Sequence, residues 1–478
     1  MPTSRKNRSS TLGIPIGTVR GGAPIAAGGF GCVFKPPIRC TSRGRRVHYN
    51  ENGVSKLMIE RHAKTEMAEI KKVLTYVKKI PHYNRYFLLD GITTCTPGTL
   101  TLDDRKGFND ICKSLHERGY TEDNVNSKRE HLRLINVPYG GEDIDNFWSI
   151  WKQSNASNKT LNKTFAETNT ALVDLLMYGI RPLNKKGYVH MDLKGQNILR
   201  STEDGVVMVR VIDWGLSGAI PAKGVASSAQ DRVVQYNVPF SNILFATQDW
   251  GKRLAKYVNA VAPSPSLRDS KDIGRTSAMR IVAYQQFNDI ADEYGDGHLE
   301  FLRKLFDRLL GYPAQMGGTE GSVFSPITAA VEYNAAVLAK YVDSSGKFDS
   351  GKYFREVYSK NVDVWGFLMA YLPIVDTSPM PWKSNSLENA ITRIICEYCL
   401  SSKYATTPIP IDKLSRQLLS LNTIVGHSEH PRTWGALKKK ASVNRTRKLV
   451  SIRNSSTKVR NTESKCCPTK VRSARRKF

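Results

Sequence analysis

The sequence Tyr188-Val189-His190-Met191-Asp192-Leu193-Lys194-Gly195-Gln196-Asn197-Ile198-Leu199, followed by Val211-Ile212-Asp213-Trp214-Gly215, is the most informative part of the chain. Two short apolar runs typical of β-strands each carry an acid, Asp192 and Asp213. Lys194 and Asn197 follow the first acid closely. This polar set suits phosphoryl transfer, in which a base orients a hydroxyl, a cation meets the phosphate, and an amide and a carboxylate hold Mg²⁺.

Size and charge set broad limits on what the protein does. The chain has 478 residues, of which 40% are hydrophobic, so it is long enough for two or three domains with a sizeable core. The net charge of +28 favours acidic partners such as nucleic acid, anionic lipid, acidic proteins or nucleotides.

Neither a secretory signal nor a membrane span is expected. Residues 1–20 are polar and basic, and the longest apolar run, residues 364–375, is too short to cross a bilayer. We therefore expect an intracellular, non-secreted protein whose eight cysteines are free thiols. Cys396 and Cys399 form a lone C-x-x-C without a second half, which favours buried thiols over a zinc site.

A glycine-rich segment near the start predicts a strand, a turn and a second strand. It reads Ile25-Ala26-Ala27-Gly28-Gly29-Phe30-Gly31-Cys32-Val33-Phe34-Lys35. Glycines let backbone N–H groups approach phosphates without an intervening side chain. Most glycine-rich hairpins are only turns, so this segment alone is a weak indication of nucleotide binding.

The next segment, Val54-Ser55-Lys56-Leu57-Met58, predicts a short strand with one inward-facing lysine. A buried lysine needs an acidic partner. A predicted helix over residues 61–80 offers Glu66 and Glu69. Glu66 is the preferred partner because it shares the apolar face of that helix. Glu69 remains an alternative, because the ten residues from Lys56 to Glu66 are a short span for a loop and a helical turn.

Further elements follow from periodicity and turn residues. Residues 132–137 predict a strand, and Pro138-Tyr139-Gly140-Gly141 then breaks it like a connector between two lobes. Residues 152–164 are polar and predict a loop, and the small, polar residues 216–237 predict a mobile loop. Helices are predicted over residues 165–183, 297–310, 387–400 and 411–421.

Together these segments resemble the eukaryotic-type serine/threonine protein kinases. The order is glycine loop, strand lysine, helix glutamate, hinge, catalytic loop, metal-binding aspartate, and a helix that carries Asp363 near its start. The chain is similar in detail to the divergent kinase-like proteins of nucleocytoplasmic large DNA viruses. That similarity is carried by residues 29–37, 54–58, 237–241 and 363–369.

The resemblance implies an α+β, two-lobed fold with a small β-rich N-lobe and a mostly helical C-lobe that contains a large helical insertion. We expect a flexible basic arm (1–20), an N-lobe (21–138), a C-lobe with catalytic and activation loops (139–241), an insertion (242–357), the rest of the C-lobe (358–430) and a disordered basic tail (431–478).

The implied activity is ATP- and Mg²⁺-dependent transfer of a γ-phosphate to serine or threonine of protein substrates. By position, Asp192 would be the base and Lys194 would face the γ-phosphate, while Asn197 and Asp213 would hold Mg²⁺. Lys56, paired with Glu66 or Glu69, would contact the α- and β-phosphates. The other implied nucleotide contacts are Ala26, Ala27, Gly28, Gly29, Phe30, Gly31 and Val33 in the glycine loop and Asn136, Val137, Pro138 and Tyr139 in the hinge.

Several positions depart from the family pattern. Met191 stands where these kinases have an arginine that pairs with an activation-loop phosphate, so we expect activity without phosphorylation of that loop. Pro138 stands where a hinge N–H meets adenine, so either the alignment shifts by one residue or this contact is reduced. His190 and Asp363 are expected to be structural, with Asp363 anchoring the catalytic loop.

Two alternatives to a protein kinase remain at this stage. One is a pseudokinase scaffold, and the other is a kinase-like enzyme that phosphorylates a small molecule or a lipid. Residues 438–478 contain fifteen lysines and arginines against one glutamate, so this tail could bind nucleic acid or another polyanion, or could merely aid solubility. The resemblance extends the expected location to host cytoplasm, nucleus or virion.

Overall fold

A computed structural model of the protein describes residues 22–28, 30–41, 52–261, 273–294, 298, 326–343, 345–375 and 386–426. All of these residues belong to one compact unit, Met1–His427. The expected basic arm and basic tail lie outside the described residues, and so does the helix predicted over residues 297–310 apart from His298.

A five-stranded antiparallel sheet occupies the first part of the chain. Its strand order is β1-β2-β3-β5-β4, and the register pairs Lys56 of β3 with Val33 of β2 and Ile135 of β5. The strands are β1 (Ala23–Gly28), β2 (Gly31–Lys35), β3 (Val54–Ile59), β4 (Thr93–Cys95) and β5 (Leu132–Val137). The strands predicted in the glycine-rich segment, at residues 54–58 and at residues 132–137 are therefore confirmed.

One face of this sheet is covered by a single helix, α1 (Glu60–Val77). Met58, Ala63 and Ile135 form a small buried cluster between the helix and the sheet. Because side chains alternate across a strand, Lys56 and Met58 face α1 while Leu57 faces the opposite side. The helix predicted over residues 61–80 is confirmed with slightly different ends.

The opposite face of the sheet is covered by residues 98–131, which we call the outer cap. It contains three short helices, α2 (Leu102–Arg105), α3 (Phe108–Ile111) and α4 (Lys113–His116). Its apolar side chains form one buried cluster with those of the strands. The cap contributes Leu100, Phe108, Cys112, Leu115, Tyr120 and Val125, and the sheet contributes Cys32, Phe34, Leu57, Leu132 and Leu134.

Two disulfides correct the expectation that all cysteines are free. Cys32 of β2 is bonded to Cys112 in the outer cap, across 80 residues of sequence. Cys40 is bonded to Cys95 of β4, across 55 residues. The sheet order brings these distant cysteines together, which spacing in the sequence does not indicate. Cys466 and Cys467 lie outside the described residues.

The remaining described chain is mostly helical, so the fold is α+β with a small antiparallel sheet. Two small sheets, β6-β8-β9 and β7-β10, lie among the helices. Their strands are β6 (Glu142–Asp143), β7 (Tyr188–Val189), β8 (Ile198–Glu203), β9 (Val206–Val211) and β10 (Gly218–Ala219). The helices are α5 (Ile144–Gln153), α6 (Asn158–Asp174), α7 (Arg181–Lys185), α8 (Gln248–Val261), α9 (Ile273–Tyr294), α10 (Pro326–Tyr341), α11 (Ser350–Tyr353), α12 (Ser359–Met369), α13 (Leu372–Val375), α14 (Ser386–Ile395) and α15 (Ile411–Ile424).

One predicted loop is helical instead. Residues 152–164 were expected to be a loop, but α6 begins at Asn158. Ser157 caps it, since its hydroxyl accepts a hydrogen bond from the backbone N–H of Thr160. This cap and the apolar face that follows it favour a helix despite the polar composition of the first turn. A π-helical turn at Leu175–Ile180 then joins α6 to α7.

The helices predicted near the end of the chain are confirmed. α14 continues into a π-helical turn, Cys396–Leu400, and α15 covers the segment predicted at residues 411–421. Cys399 is buried and Cys396 half-buried, both free thiols, and burial raises the pKa of the Cys396 thiol to about 11. Within the described part of the chain, no helix combines the length and apolar character needed to cross a membrane.

Candidate active site

A buried carboxylate fixes the backbone of the loop that carries Asp192. Asp363 in α12 is fully buried, and its carboxylate accepts hydrogen bonds from the backbone N–H groups of His190 (2.9 Å) and Met191 (2.8 Å). The Asn184 amide also donates to it at 2.7 Å. Leaving these buried donors unpaired would cost about 1–3 kcal/mol each. The predicted anchoring role of Asp363 is thereby confirmed.

The His190 ring joins this loop to the segment that carries Asp213. Its Nε2 lies 3.0 Å from the carbonyl oxygen of Ile212, and its ring packs on Trp214 with centroids 4.8 Å apart. The side chain is buried. The expectation that His190 is structural is confirmed by these contacts.

Asp192 is surrounded by donors on both carboxylate oxygens. Oδ2 accepts hydrogen bonds from Lys194 Nζ (3.2 Å) and Asn197 Nδ2 (3.1 Å). Oδ1 accepts one from Asn237 Nδ2 (2.9 Å). The side chain is only 14% exposed, so these donors hold the carboxylate in one orientation with an edge open to solvent.

Asn197 and Asp213 form the candidate metal site. The Asn197 amide nitrogen donates to the carbonyl oxygen (2.8 Å) and the carboxylate of Asp192, which leaves its Oδ1 as the oxygen available to a cation. Asp213 is exposed and adopts a left-handed backbone (φ 60°). The backbone N–H of Ile212 donates to the carbonyl of Asn197 at 3.0 Å, so the two segments are joined directly.

These ligands suit a Mg²⁺ ion that is coordinated partly by substrate phosphates, rather than a metal ion coordinated by protein side chains alone. Mg²⁺ prefers oxygen ligands, and in phosphotransferases it is held by one or two carboxylates together with substrate phosphates. No group of three His, Cys, Asp or Glu side chains in the described residues is arranged to hold a metal ion. A site completed by phosphate oxygens is consistent with both facts.

Lys56 pairs with Glu66. Lys56 Nζ lies 2.7 Å from Glu66 Oε2, and the two side chains are 21% and 23% exposed. Burial, followed by the charges of Glu66 and Asp213, raises the pKa of Glu69. Glu69 therefore lies close enough to Glu66 and Asp213 to be affected by their negative charges, but it is Glu66 that forms the direct ion pair with Lys56.

The glycine-rich hairpin lies next to this ion pair. Ala26, Ala27 and Gly28 end β1, Gly31 begins β2, and Gly29 lies outside the described residues. A Cβ at Gly31 would meet the carbonyl oxygen of Leu57 at 2.7 Å, so only glycine fits there. Phe30 at the tip is 56% exposed, and its ring lies 4.8 Å from that of His62 in α1.

The candidate hinge begins where β5 ends. The register pairs Val54 with Val137, so Pro138 is the first residue beyond the strand. The Asn136 amide points to the outer face of the sheet, since Nδ2 lies 3.5 Å from the sulfurs of Cys40 and Cys95. Tyr139 is 46% exposed, and Lys35 Nζ lies 3.4 Å from the centroid of its ring.

The structure adds four residues to this site that the sequence reasoning missed. Asn237 and Arg232 approach Asp192 from residues 216–237. His298 lies near enough for the charges of Lys194 and Asp192 to act on its pKa. Asp145 of α5 lies under the catalytic loop, where a Cβ at Gly195 would meet Asp145 Oδ1 at 1.7 Å. Asn237 lies in a segment used for the family resemblance, whereas nothing local in the sequence distinguishes the other three.

His298 lies close to the loop that carries Asp192. Its Nδ1 accepts a hydrogen bond from the backbone N–H of Tyr236 at 3.4 Å, and the two rings lie 5.4 Å apart. Burial lowers the pKa of His298, and the charge of Lys194 lowers it further. His298 therefore lies at the edge of the candidate site, packed on Tyr236.

Asp145 is a half-buried acid with one enclosed, unpaired carboxylate oxygen. Burial, and then the charge of Asp143, raise the pKa of Asp145 to about 7. Its Oδ1 has no hydrogen-bond partner. A carboxyl group with a raised pKa therefore lies against the loop that carries Asp192.

Comparison with known proteins finds a distant similarity to a kinase. The chain is 27% identical over 143 residues to serine/threonine-protein kinase 17A of Oryctolagus cuniculus, which covers 28% of this chain and 34% of that protein. The chain thus spans about a third of the length of the curated relative it matches. No protein-family model matches the chain. The match supports membership of a protein-kinase-like superfamily.

Proposed function

We propose that this chain is an ATP- and Mg²⁺-dependent serine/threonine protein kinase. The observation that carries the proposal is the set of donors around Asp192, in which Lys194 and Asn197 bind one carboxylate oxygen and Asn237 binds the other. Protein kinases rely on positioning and charge rather than on covalent chemistry by the protein. A fixed carboxylate beside a lysine meets both needs.

The residues have distinct roles in this proposal. Asp192 accepts a hydrogen bond from the acceptor hydroxyl and orients its oxygen toward the γ-phosphate of the substrate ATP. Lys194, 3.2 Å from Asp192, compensates charge on the transferred group. Lys56, held by Glu66, binds the α- and β-phosphates, and the glycine-rich hairpin covers them.

Asn197 and Asp213 would hold the metal ion. When bound there, Mg²⁺ would neutralise negative charge on the phosphate oxygens. The connection between Ile212 N–H and Asn197 O keeps the two ligand-bearing segments at a fixed separation. His190 supports the same geometry through the carbonyl of Ile212.

The proposal includes two lobes joined at a hinge. Residues 21–138 would form the N-lobe, residues 139–241 and 358–430 the C-lobe, and residues 242–357 an insertion. Residues 136–139 would bind adenine. Since Pro138 has no N–H to donate, either the family alignment shifts by one residue at this position or the adenine contact is reduced.

We also propose kinship with the kinase-like proteins of nucleocytoplasmic large DNA viruses, on the motifs that carry that resemblance. Location in host cytoplasm, nucleus or virion is part of this proposal. Binding of nucleic acid or another polyanion by the basic tail rests on its charge alone. Deleting residues 438–478 should weaken retention on DNA at low salt, and unchanged retention would reject this role.

The activity is tested with γ-labelled ATP, Mg²⁺ and a panel of basic and acidic proteins, together with small hydroxyl acceptors. We expect label on serine and threonine of proteins, with transfer about 10²- to 10⁴-fold slower for Asp192→Asn. ATP binding without any transfer would support a pseudokinase scaffold instead. Label on small acceptors or lipids alone would support the third alternative.

A further inference from the structure

Arg232 is a buried cation next to the candidate catalytic carboxylate. Its side chain is 8% exposed, and its Nη1 donates to the carbonyl oxygen of Met191 at 2.7 Å. Nη2 donates to Gln235 Oε1 and lies 3.9 Å from Asp192 Oδ1. A buried guanidinium persists only where carbonyls and carboxylates compensate its desolvation, and these contacts supply that compensation.

The contact with Met191 acts on a strained part of the catalytic loop. Met191 has a positive φ of 60°, a backbone conformation that L side chains rarely adopt. Its N–H donates to Asp363 at 2.8 Å, and its C=O accepts from Arg232 at 2.7 Å. The peptide groups on both sides of Met191 are thus held from two directions, immediately before Asp192.

Apolar packing completes the attachment of residues 216–237 to this loop. Met191 is fully buried, and its sulfur lies 4.0 Å from the Ser228 hydroxyl. Ala229 is fully buried, and Val234 is only 7% exposed. The segment expected to be a mobile loop is therefore joined to the catalytic loop by packed side chains and one internal cation.

We infer that Arg232 is a positioning residue that fastens residues 216–237 to the catalytic loop and orients Asp192, so that transfer requires no phosphate in this segment. This inference rests on the proposed kinase function. In this arrangement the cation comes from residues 216–237 and the acceptor is a backbone carbonyl of the catalytic loop. No added anion is needed to neutralise Arg232, because Asp192 and two neutral oxygens already face it.

The first test compares Arg232→Ala with Arg181→Ala. Arg181 is the matched control, since its guanidinium binds Asp412 through two hydrogen bonds (2.7 and 3.0 Å) away from the candidate site. We expect kcat to fall roughly 100-fold in Arg232→Ala with KM for ATP unchanged, and to stay near wild type in Arg181→Ala. Addition of guanidinium ion should restore part of the kcat of Arg232→Ala. An unchanged kcat, or an equal fall in both variants, would overturn the inference.

A second measurement keeps the inference testable if the wild-type protein transfers no phosphate. Hydrogen exchange of the backbone amides in residues 216–237 and in the catalytic loop should increase in Arg232→Ala and not in Arg181→Ala. Equal exchange in the two variants would show that Arg232 does not fasten the segment. Absent transfer with the expected exchange difference would reject the proposed function while retaining the positioning role.

The claim about phosphate is tested with phosphatase-treated protein shown by mass spectrometry to carry no phosphate in residues 216–237. We expect its kcat to remain within about twofold of the untreated protein, and the same for Ser227→Ala. A fall of more than tenfold after treatment, reversed by rephosphorylation, would contradict the inference.

Discussion

The two faces of the five-stranded sheet are built in opposite ways. The face toward α1 carries Lys56 and Val33, which are partly exposed, and its main polar contact is the pair between Lys56 and Glu66. The face toward the outer cap carries Cys32, Phe34 and Leu57, each 0% exposed, and a disulfide links it to the cap. One face remains accessible to a ligand, whereas the other is closed by apolar packing and a covalent link.

The largest expected effect comes from the accessible face. Lys56→Met should lower kcat/KM for ATP roughly 10³-fold, because it removes a cation that meets the phosphates. Lys64→Met is the matched control, since Lys64 forms a similar pair with Glu60 (3.0 Å) on the exposed side of α1. Transfer assays on both variants should show the loss only for Lys56. Equal transfer activity of Lys56→Met and Lys64→Met would contradict the assignment of ligand binding to the face of the sheet that carries Lys56.

The neighbouring residue on the closed face should affect stability instead. Leu57→Ala should lower the free energy of unfolding by about 3 kcal/mol, because it leaves a cavity in a dry cluster. Urea unfolding measures the loss, and Ile25→Ala, a strand residue that is 54% exposed, serves as the control. At a temperature where the variant is folded, we expect its kcat to be close to wild type. A large change in kcat with little loss of stability would contradict the assignment of the faces.

Removal of the Cys32–Cys112 link should have a somewhat smaller effect on the same face. The double variant Cys32→Ala/Cys112→Ala should lose about 2–3 kcal/mol of stability, since the bond closes a long loop of chain. Thermal unfolding with and without reductant measures it, and the variant should no longer respond to reductant through this bond. Identical unfolding of the variant and the oxidised wild type would show that the outer cap is held by packing alone.

The smallest expected effect concerns an unfavourable charge outside the sheet, at Asp145 of α5. Because the pKa of Asp145 is raised from 3.8 to about 7, the folded protein binds more protons than the unfolded chain between these values. The free energy of unfolding should therefore decrease as pH rises through this window. The Asp145→Asn variant should not show this decrease. Its free energy of unfolding should exceed that of the wild type by roughly 2 kcal/mol at pH 8, and the difference should narrow toward pH 4. Parallel pH profiles of the two proteins would rule out the raised pKa.

The elements around Lys56 were largely predictable from the sequence because they are local. The strands around Lys56 and residues 132–137 and the helix that supplies Glu66 follow from short patterns with a definite spacing. The anchoring role of Asp363 was instead implied by the family resemblance, because its partners His190 and Met191 are distant in sequence. The choice between Glu66 and Glu69 needed the structure, because both acids lie within one helical turn of each other. The helical start at Asn158 carried a local signal, a serine cap, that composition obscured.

The outer cap, Arg232 and His298 were not predictable, for a physical reason. The outer cap has short helices with little periodicity, and its role depends on which cysteines the strand order brings together. Arg232 approaches Asp192, and His298 contacts Tyr236, only because the fold brings distant parts of the chain together. The two disulfides also differ from the free thiols expected of an intracellular protein, since such bonds are typical of oxidising environments.

The most direct test of the account is Mg²⁺-dependent transfer from γ-labelled ATP by wild type, Asp213→Asn and Asp204→Asn. Both acids have a left-handed backbone and are exposed, but Asp204 lies in the turn between β8 and β9, whereas Asp213 follows β9 next to Asn197. The account predicts loss of transfer in Asp213→Asn and wild-type transfer in Asp204→Asn. Equal transfer by all three proteins, or transfer that does not require Mg²⁺, would contradict it.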